Sequence, residues 1–190
     1  MVYKKVLERI QADAAAHKNA LNAICIFLAT ALFFLYFAFV KEAIILAAFI
    51  ALGAISRLWQ RFFPAPIGAN LIMLFAVISG AGYGSFAGML VGIVSLIISS
   101  IMVQDDLATT AAPIFAMSVV GYLAGILSIS ASNISLWGLA LTVLYDAVIS
   151  VEHILLGRAN INTVIFVVTH LVFNYFVFFT FAPEIMGLLA

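Results

Sequence analysis

The segment Gly80-Ala81-Gly82-Tyr83-Gly84-Ser85-Phe86-Ala87-Gly88-Met89-Leu90-Val91-Gly92-Ile93-Val94-Ser95 indicates how the rest of the chain folds. Three of its glycines recur at a spacing of four residues, which places positions without side chains along one face of an apolar helix. A neighbouring backbone can approach such a face closely, and this spacing is typical of helix contacts inside membranes. The same spacing returns in a later run, so the following glycines are predicted to make close helix contacts: Gly84, Gly88, Gly92, Gly121 and Gly125.

The composition outside this segment predicts a chain that lies in a lipid bilayer. Of the 190 residues, 66% are hydrophobic and 8% are charged, whereas a soluble domain carries about 25% charged residues. A spanning helix needs about 20 apolar residues, so this length allows about seven spans at most and one domain. The formal net charge is zero, and the few basic residues form no patch of the kind that binds phosphates, which excludes nucleic acid as a partner.

Motifs for catalysis or cofactor binding are missing from the sequence. The single cysteine, Cys25, offers neither a disulfide nor a thiolate metal cage. Phosphate-binding loops of the Walker type and dinucleotide fingerprints are absent. We therefore expect no cofactor, no metal and no enzymatic activity.

Apolar runs divide the chain into a leader, an additional helix and a core. Residues 1–19 are predicted to form a short amphipathic leader at the interface, and residues 20–40 an additional N-terminal hydrophobic helix. A single helix over residues 20–58 would be about 58 Å long, nearly twice the hydrocarbon thickness, so a tight hairpin or a sharp bend is predicted near Lys41. Residues 42–182 then supply six core helices, at 42–58, 67–81, 84–103, 108–129, 134–151 and 161–182. The predicted fold class is an all-α integral membrane protein.

Polar side chains inside apolar runs are costly in a membrane, so each is a candidate for function. Asp146 and His153 lie seven residues apart and share one face of the fifth core helix. The last core helix presents a second face of this kind, with Asn162, Phe166, His170 and Asn174. The two polar faces predict a site between these helices.

The alternation of six core helices predicts that charged residues gather at one end of the bundle. Arg57, Arg61, Asp105, Asp146 and His153 fall on or near one side, while the opposite loops, 80–84 and 128–135, carry no charge. A few convergent polar groups in an otherwise apolar cavity are typical of a ligand site. The paired arginines weakly indicate an anionic or carboxylate ligand, because a guanidinium binds a carboxylate through two parallel hydrogen bonds.

The order of features from Ala43 to Pro183 resembles one family, the substrate-binding S component of energy-coupling factor (ECF) vitamin transporters. An alanine stripe ends in Ser56-Arg57 and is followed by a proline-containing loop, after which a short helix leads into the glycine segment. The later features of the resemblance are Gly121-x3-Gly125, Tyr145-Asp146, His170-x3-Asn174 and the closing Ala182-Pro183.

The resemblance implies a six-helix, S-component-like bundle in the cell membrane that captures a vitamin or related small micronutrient. Its implied partners are the lipid bilayer, a membrane coupling subunit and two cytoplasmic ATPases that power translocation. In this family an alanine stripe meets the coupling subunit, which corresponds here to Ala43, Ala47 and Ala51. The implied substrate-binding residues are Trp59, Arg61, Thr109, Asp146, His153, Asn162, Phe166, His170 and Asn174.

Other interpretations of the same residues stay open from the sequence. A structural subunit of a larger membrane complex would use the small-residue stripes but no pocket. A membrane metalloenzyme would use Asp146, His153 and His170 as ligands, since carboxylate and imidazole suit several transition metals. The membrane orientation is also open, because the family places the polar end outside whereas the basic leader, which would lie on the same side, favours the cytoplasm.

Overall fold

The structure is a computed structural model that describes residues 2–63, 65–105 and 107–189. Within these ranges the chain is helical and contains no β-strand. Its elements are α1 (Val2–Ile55), a short 3-10 helix (Leu58–Arg61), α2 (Ile72–Tyr83), α3 (Ser85–Val103), α4 (Leu107–Ile126), α5 (Ile134–Leu155), α6 (Ile161–Thr180) and α7 (Ala182–Leu189).

Five helical segments of the described chain are long and apolar enough to cross a membrane: Ile26–Arg61, Ser85–Val103, Thr109–Ile126, Ile134–Leu155 and Ile161–Thr180. The apolar helix α2 is shorter, with 12 residues. The predicted fold class, an all-α integral membrane bundle, is confirmed, and the protein is a multi-pass membrane protein.

Helix α1 continues without interruption through Lys41 and Glu42, so the predicted hairpin near Lys41 is wrong, whereas the alternative of a sharp bend stays a prediction. Both residues have good helix propensity and neither is Gly or Pro, so two charged residues end an apolar run without ending the helix. The chain divides into two compact units between Ile44 and Ile45. The amphipathic leader stays a prediction, because Met1 and the side chains of residues 2–25 lie outside the described part of the structure.

The second unit is built around α2. Every residue from Ile72 to Gly80 is buried, because the end of α1 and helices α3 to α7 surround this short apolar segment. Phe75 of α2 stacks on Phe49 of α1, with ring centroids 4.7 Å apart. Apolar contact on all sides explains why α2 shows no polar face in its sequence. The short helix α7 follows directly where the last apolar run was predicted to end.

Glycines bring α2, α3 and α4 together at the end of the bundle that carries the turn at Gly84 and the loop between α4 and α5. The predicted loop 80–84 is thus wrong over 80–83, which belong to α2. A Cβ atom on Gly121 would overlap the backbone of Gly88, and one on Gly125 would overlap the backbone of Ser85. A Cβ on Gly92 would lie 2.6 Å from the side chain of Met117. The matched contacts show that α3 and α4 run antiparallel at close range, which only residues without side chains permit.

Gly84 has a different role from the other four glycines. It lies in the turn between α2 and α3 with φ of +93°, and a Cβ at this position would meet no atom within 4 Å. Its backbone N–H donates to Gly80 O at 2.9 Å and closes α2. Glycine is required here for backbone conformation rather than for close packing.

Candidate ligand-binding site

A cavity of about 260 Å³ opens at the other end of the second unit. Its wall combines side chains from α3, α4, α5 and α6 with the segment that joins α1 to α2. Ten polar residues line it: Arg57, Gln60, Asn70, Ser100, Asp105, Thr109, Thr110, Tyr145, His153 and His170. Five apolar residues complete the wall: Leu96, Pro113, Met117, Ile149 and Phe166.

Arg57 organises the mouth of this cavity. Its guanidinium pairs with Asp105 Oδ2 at 2.8 Å and donates through Nη1 to Ser99 Oγ at 3.1 Å. Its Nε donates to Gln60 Oε1 at 3.0 Å. Asp105 follows the left-handed Gln104, which ends α3 with φ of 64°. The network ties the end of α1 to the end of α3 and occupies most of the donors of Arg57 with protein acceptors.

The segment that joins α1 to α2, residues 56–71, is held by three polar contacts, two within the segment and one to α6. Trp59 Nε1 donates to Ala69 O at 3.0 Å, and Gln60 Nε2 donates to Ile67 O at 3.0 Å. The backbone N–H of Gly68 donates to Thr169 Oγ1 at 2.9 Å. A Cβ on Gly68 would overlap the Cβ of His170, so glycine allows this segment to lie directly on α6.

The inner end of the cavity is formed by His170 and its neighbours. His170 Nδ1 lies 2.7 Å from Asp146 Oδ1, with both side chains buried. The ring of Phe166 stacks on the imidazole at 5.3 Å and 17°, and the ring of Tyr145 packs against it at 5.4 Å. Asn174 Nδ2 donates to His170 O at 2.9 Å. These contacts fix both the position and the orientation of the imidazole.

His153 lies between the inner end and the outer rim. Its Nδ1 lies 2.9 Å from Thr163 Oγ1, and its Nε2 lies 3.5 Å from Glu152 Oε2. Thr163 belongs to the capping box of α6, in which Asn160 Oδ1 accepts from the backbone N–H of Asn162 at 2.9 Å and of Thr163 at 3.4 Å. Through its contact with Thr163, the first turn of α6 positions His153 of α5, which lines the cavity.

The predicted substrate-binding residues lie in three different places. Thr109, His153, Phe166 and His170 line the cavity. Asp146 and Asn174 lie behind His170, where both are buried. Trp59 supports the segment that joins α1 to α2, and the side chains of Arg61 and Asn162 are exposed outside the cavity.

Several residues of the cavity wall were absent from the predicted binding set, namely Gln60, Asn70, Ser100, Asp105 and Tyr145, together with Arg57. For Arg57 and Asp105 a signal exists in the sequence, because both lie at helix ends on the predicted polar side. Gln60 and Asn70 carry no such signal, since they line the cavity through the path of an irregular segment.

The predicted coupling residues Ala47 and Ala51 are exposed on the outer side of α1, as is Ala43 in the first unit. Gly53 and Ala54, by contrast, are buried. A Cβ on Gly53 would lie 3.1 Å from Ser95 Oγ. The small residues of α1 therefore divide into an inner pair and an outer stripe.

Among the described residues, no group of three or more His, Cys, Asp or Glu side chains is placed to hold a metal ion. Asp146 and His170 are in contact, but His153 does not join them as a third ligand. Comparisons with protein-family models, with curated proteins and with solved structures give no significant match to this chain.

Proposed function

We propose that this chain is the substrate-capture subunit of an ECF-type transporter in the cell membrane, with a vitamin or related small micronutrient as its ligand. The cavity is the observation that carries the proposal. Ten of its fifteen lining residues are polar and surround about 260 Å³ inside a membrane bundle, and a concave site with convergent polar groups is typical of small-molecule binding. The order of sequence features supports the assignment to the ECF type.

The cavity volume favours a small ligand. Pockets for drug-sized molecules have volumes of about 300–1,000 Å³, so this cavity lies just below the lower end of that range. Most of its polar groups are already held by protein contacts, such as the pairing of Arg57 with Asp105 at 2.8 Å. A wall organised in this way loses little conformational entropy when a ligand enters, which supports tight binding of a small molecule.

The exposed stripe of Ala47 and Ala51 supports the second half of the proposal, contact with a coupling subunit. Small side chains on a lipid-facing surface allow another helix to approach closely. In the proposed cycle the ligand binds in the cavity, and the energy for its release comes from ATP hydrolysis by the two partner ATPases.

Native mass spectrometry of the detergent-purified chain tests the proposal. We expect a small organic molecule to remain bound to the protein. The variant Thr109→Trp places a large ring in the cavity wall and is expected to lose the molecule, whereas Ala111→Trp, exposed on the same helix and outside the cavity, is expected to keep it. A bound metal would favour the metalloenzyme, and a chain with no bound molecule would favour the structural subunit.

A further inference from the structure

We propose that the ligand carries a positively charged hydrogen-bond donor, such as an ammonium group or a protonated ring nitrogen, and that this group binds Nε2 of His170. Asp146 is the positioning residue that selects it. The inference rests on the proposed function, since it names the chemistry of the molecule that the cavity captures.

The first argument is the orientation of His170. Its Nδ1 lies 2.7 Å from Asp146 Oδ1, and Phe166 and Tyr145 hold the ring from two sides. The backbone of Gly68 lies against its Cβ. When an aspartate carboxylate accepts the Nδ1–H of a neutral histidine, Nε2 keeps its lone pair and acts as an acceptor. Because His170 lines the cavity, Nε2 is the ring nitrogen left to meet a ligand, and it requires a donor.

The second argument is the charge of the cavity. From residue 45 onward the chain contains three arginines and no lysine: Arg57, Arg61 and Arg158. Arg57 is paired with Asp105, and the other two are exposed and do not line the cavity. No arginine or lysine is therefore left to balance Asp146, which is buried within the bundle and whose basic neighbour among the described residues is His170 itself.

The third argument is that Asp146 is incompletely satisfied. Its Oδ2 is buried and has no hydrogen-bond partner among the described residues. If His170 is neutral, a buried carboxylate that accepts one hydrogen bond is under-compensated, and a positive charge on the far side of His170 would stabilise it. The rings of Tyr145 and Phe166, which line the same cavity, add faces that attract cations. Charge, hydrogen bonding and ring geometry thus favour the same ligand group.

Three probes of similar size and different charge test the inference: benzylamine, benzyl alcohol and benzoate. Binding of each is measured by ligand-observed NMR to the full chain in phosphatidylcholine nanodiscs, with empty nanodiscs as the blank. We expect benzylamine to bind at least about tenfold more tightly than benzoate, the effect of one hydrogen bond to a charged group. Equal binding, or tighter binding of benzoate, would overturn the inference.

Asp146→Asn assigns the preference to this residue. The amide can donate to Nδ1 of His170, which moves the ring proton to Nε2 and turns the acceptor into a donor. We expect the preference for benzylamine to disappear and benzoate binding to improve, while benzyl alcohol still binds. The control Glu184→Gln removes one carboxylate from α7 and is expected to keep the preference. A preference that survives Asp146→Asn contradicts the role of Asp146.

Two further readouts keep the test decisive. The ¹⁵N NMR shifts of the His170 ring in the unmodified protein report which ring nitrogens carry a proton, so the result holds even where Asp146→Asn fails to fold. Protonation of Nε2, alone or together with Nδ1, would contradict the inference, because Nε2 would then be a donor. If the probes bind without a charge preference, only this inference fails. If no probe binds and Thr109→Trp changes nothing, the proposed capture function fails with it.

Discussion

The two ends of the α3–α4 pair show how one helix contact can serve two purposes. Toward the turn at Gly84, Gly88 and Gly121 allow the two backbones to touch. Toward the opposite end, the same two helices carry Ser100 and Thr110, whose side chains line the cavity. The difference lies in the side chains at matched positions. At the closed end, around Gly88 and Gly121, the glycines allow the two helices to touch. At the open end, around Ser100 and Thr110, larger side chains separate the helices and line the cavity.

The two ends also use different interactions. The glycine end depends on close van der Waals packing, which supplies much of the association energy of helices in a membrane. The cavity end depends on hydrogen bonds and one ion pair, anchored at Arg57. Each hydrogen bond contributes modestly, whereas a buried group left without a partner is costly. We therefore expect the largest stability losses at the glycine end and the largest binding losses at the cavity.

Gly121→Val tests the closed end and is expected to have the largest effect on stability. The added side chain would overlap the backbone of Gly88, which cannot give way as a flexible side chain could. We expect a loss of about 3 kcal/mol or more in the free energy of unfolding, measured by thermal unfolding in detergent micelles. Gly82→Ala is the matched control, because its new methyl would lie 3.7 Å from Leu189 Cδ1. A folded, fully stable Gly121→Val protein would show that the two helices do not touch there.

Arg57→Ala tests the open end and is expected to have an intermediate effect. It removes the shared donor of Gln60, Ser99 and Asp105, and we expect a loss of about 2 kcal/mol. Asp105→Ala is expected to cost less than about 1 kcal/mol, because this carboxylate is 39% exposed and its ion pair is screened by solvent. A double-mutant cycle of the two variants measures their coupling. If Asp105→Ala costs as much as Arg57→Ala, the ion pair rather than the hydrogen-bond network dominates.

The sequence predicted the closed end better than the open end, for physical reasons. Gly88 in α3 and Gly121 in α4 each belong to a set of glycines spaced four residues apart, so local periodicity is enough to predict that each helix face makes a close contact. The pairing of the two faces was not predicted. The pairing of Arg57 with Asp105 joins residues 48 positions apart, and no local pattern encodes it. The same holds for Gly68, which must be glycine because of the position of His170, 102 residues later in the chain.

The error at Lys41 has a related cause. Hydropathy marks where a helix leaves the apolar layer, whereas Gly, Pro and capping residues mark where its hydrogen bonds end. Lys41 and Glu42 interrupt the apolar run but are not helix-ending residues, so α1 continues to Ile55. Glycine spacing and polar helix ends were informative because they reflect packing and solvation directly.

Asn160→Ala tests the N-terminal cap of α6 and is expected to have a smaller effect on stability than Arg57→Ala. Asn160 Oδ1 accepts from the first backbone N–H groups of α6, and loss of such a cap costs about 1 kcal/mol. Asn160→Asp keeps an acceptor and is expected to stay within about 0.5 kcal/mol of the unmodified protein. Chemical unfolding in mixed micelles measures both. Equal losses for the two variants would indicate that the amide N–H groups of Asn160, rather than Oδ1, support this end of α6.

Ala47→Trp is expected to have the smallest effect on stability, within about 0.5 kcal/mol, because the side chain is exposed. It separates the proposed ligand capture from the proposed contact with a coupling subunit. Ala47 lies ten residues before Arg57, or about 15 Å along a helix, away from the cavity mouth. A bulky ring there would block close approach of a partner helix, so transport of the captured molecule in cells that express the partners is expected to be lost while binding to the purified chain is kept.

Ala48→Trp, also exposed but about 100° around the helix, is the control and is expected to keep both binding and transport. Loss of binding together with transport in Ala47→Trp would instead show that the stripe packs within the bundle, and that the open end depends on α1 as strongly as the closed end depends on its glycines.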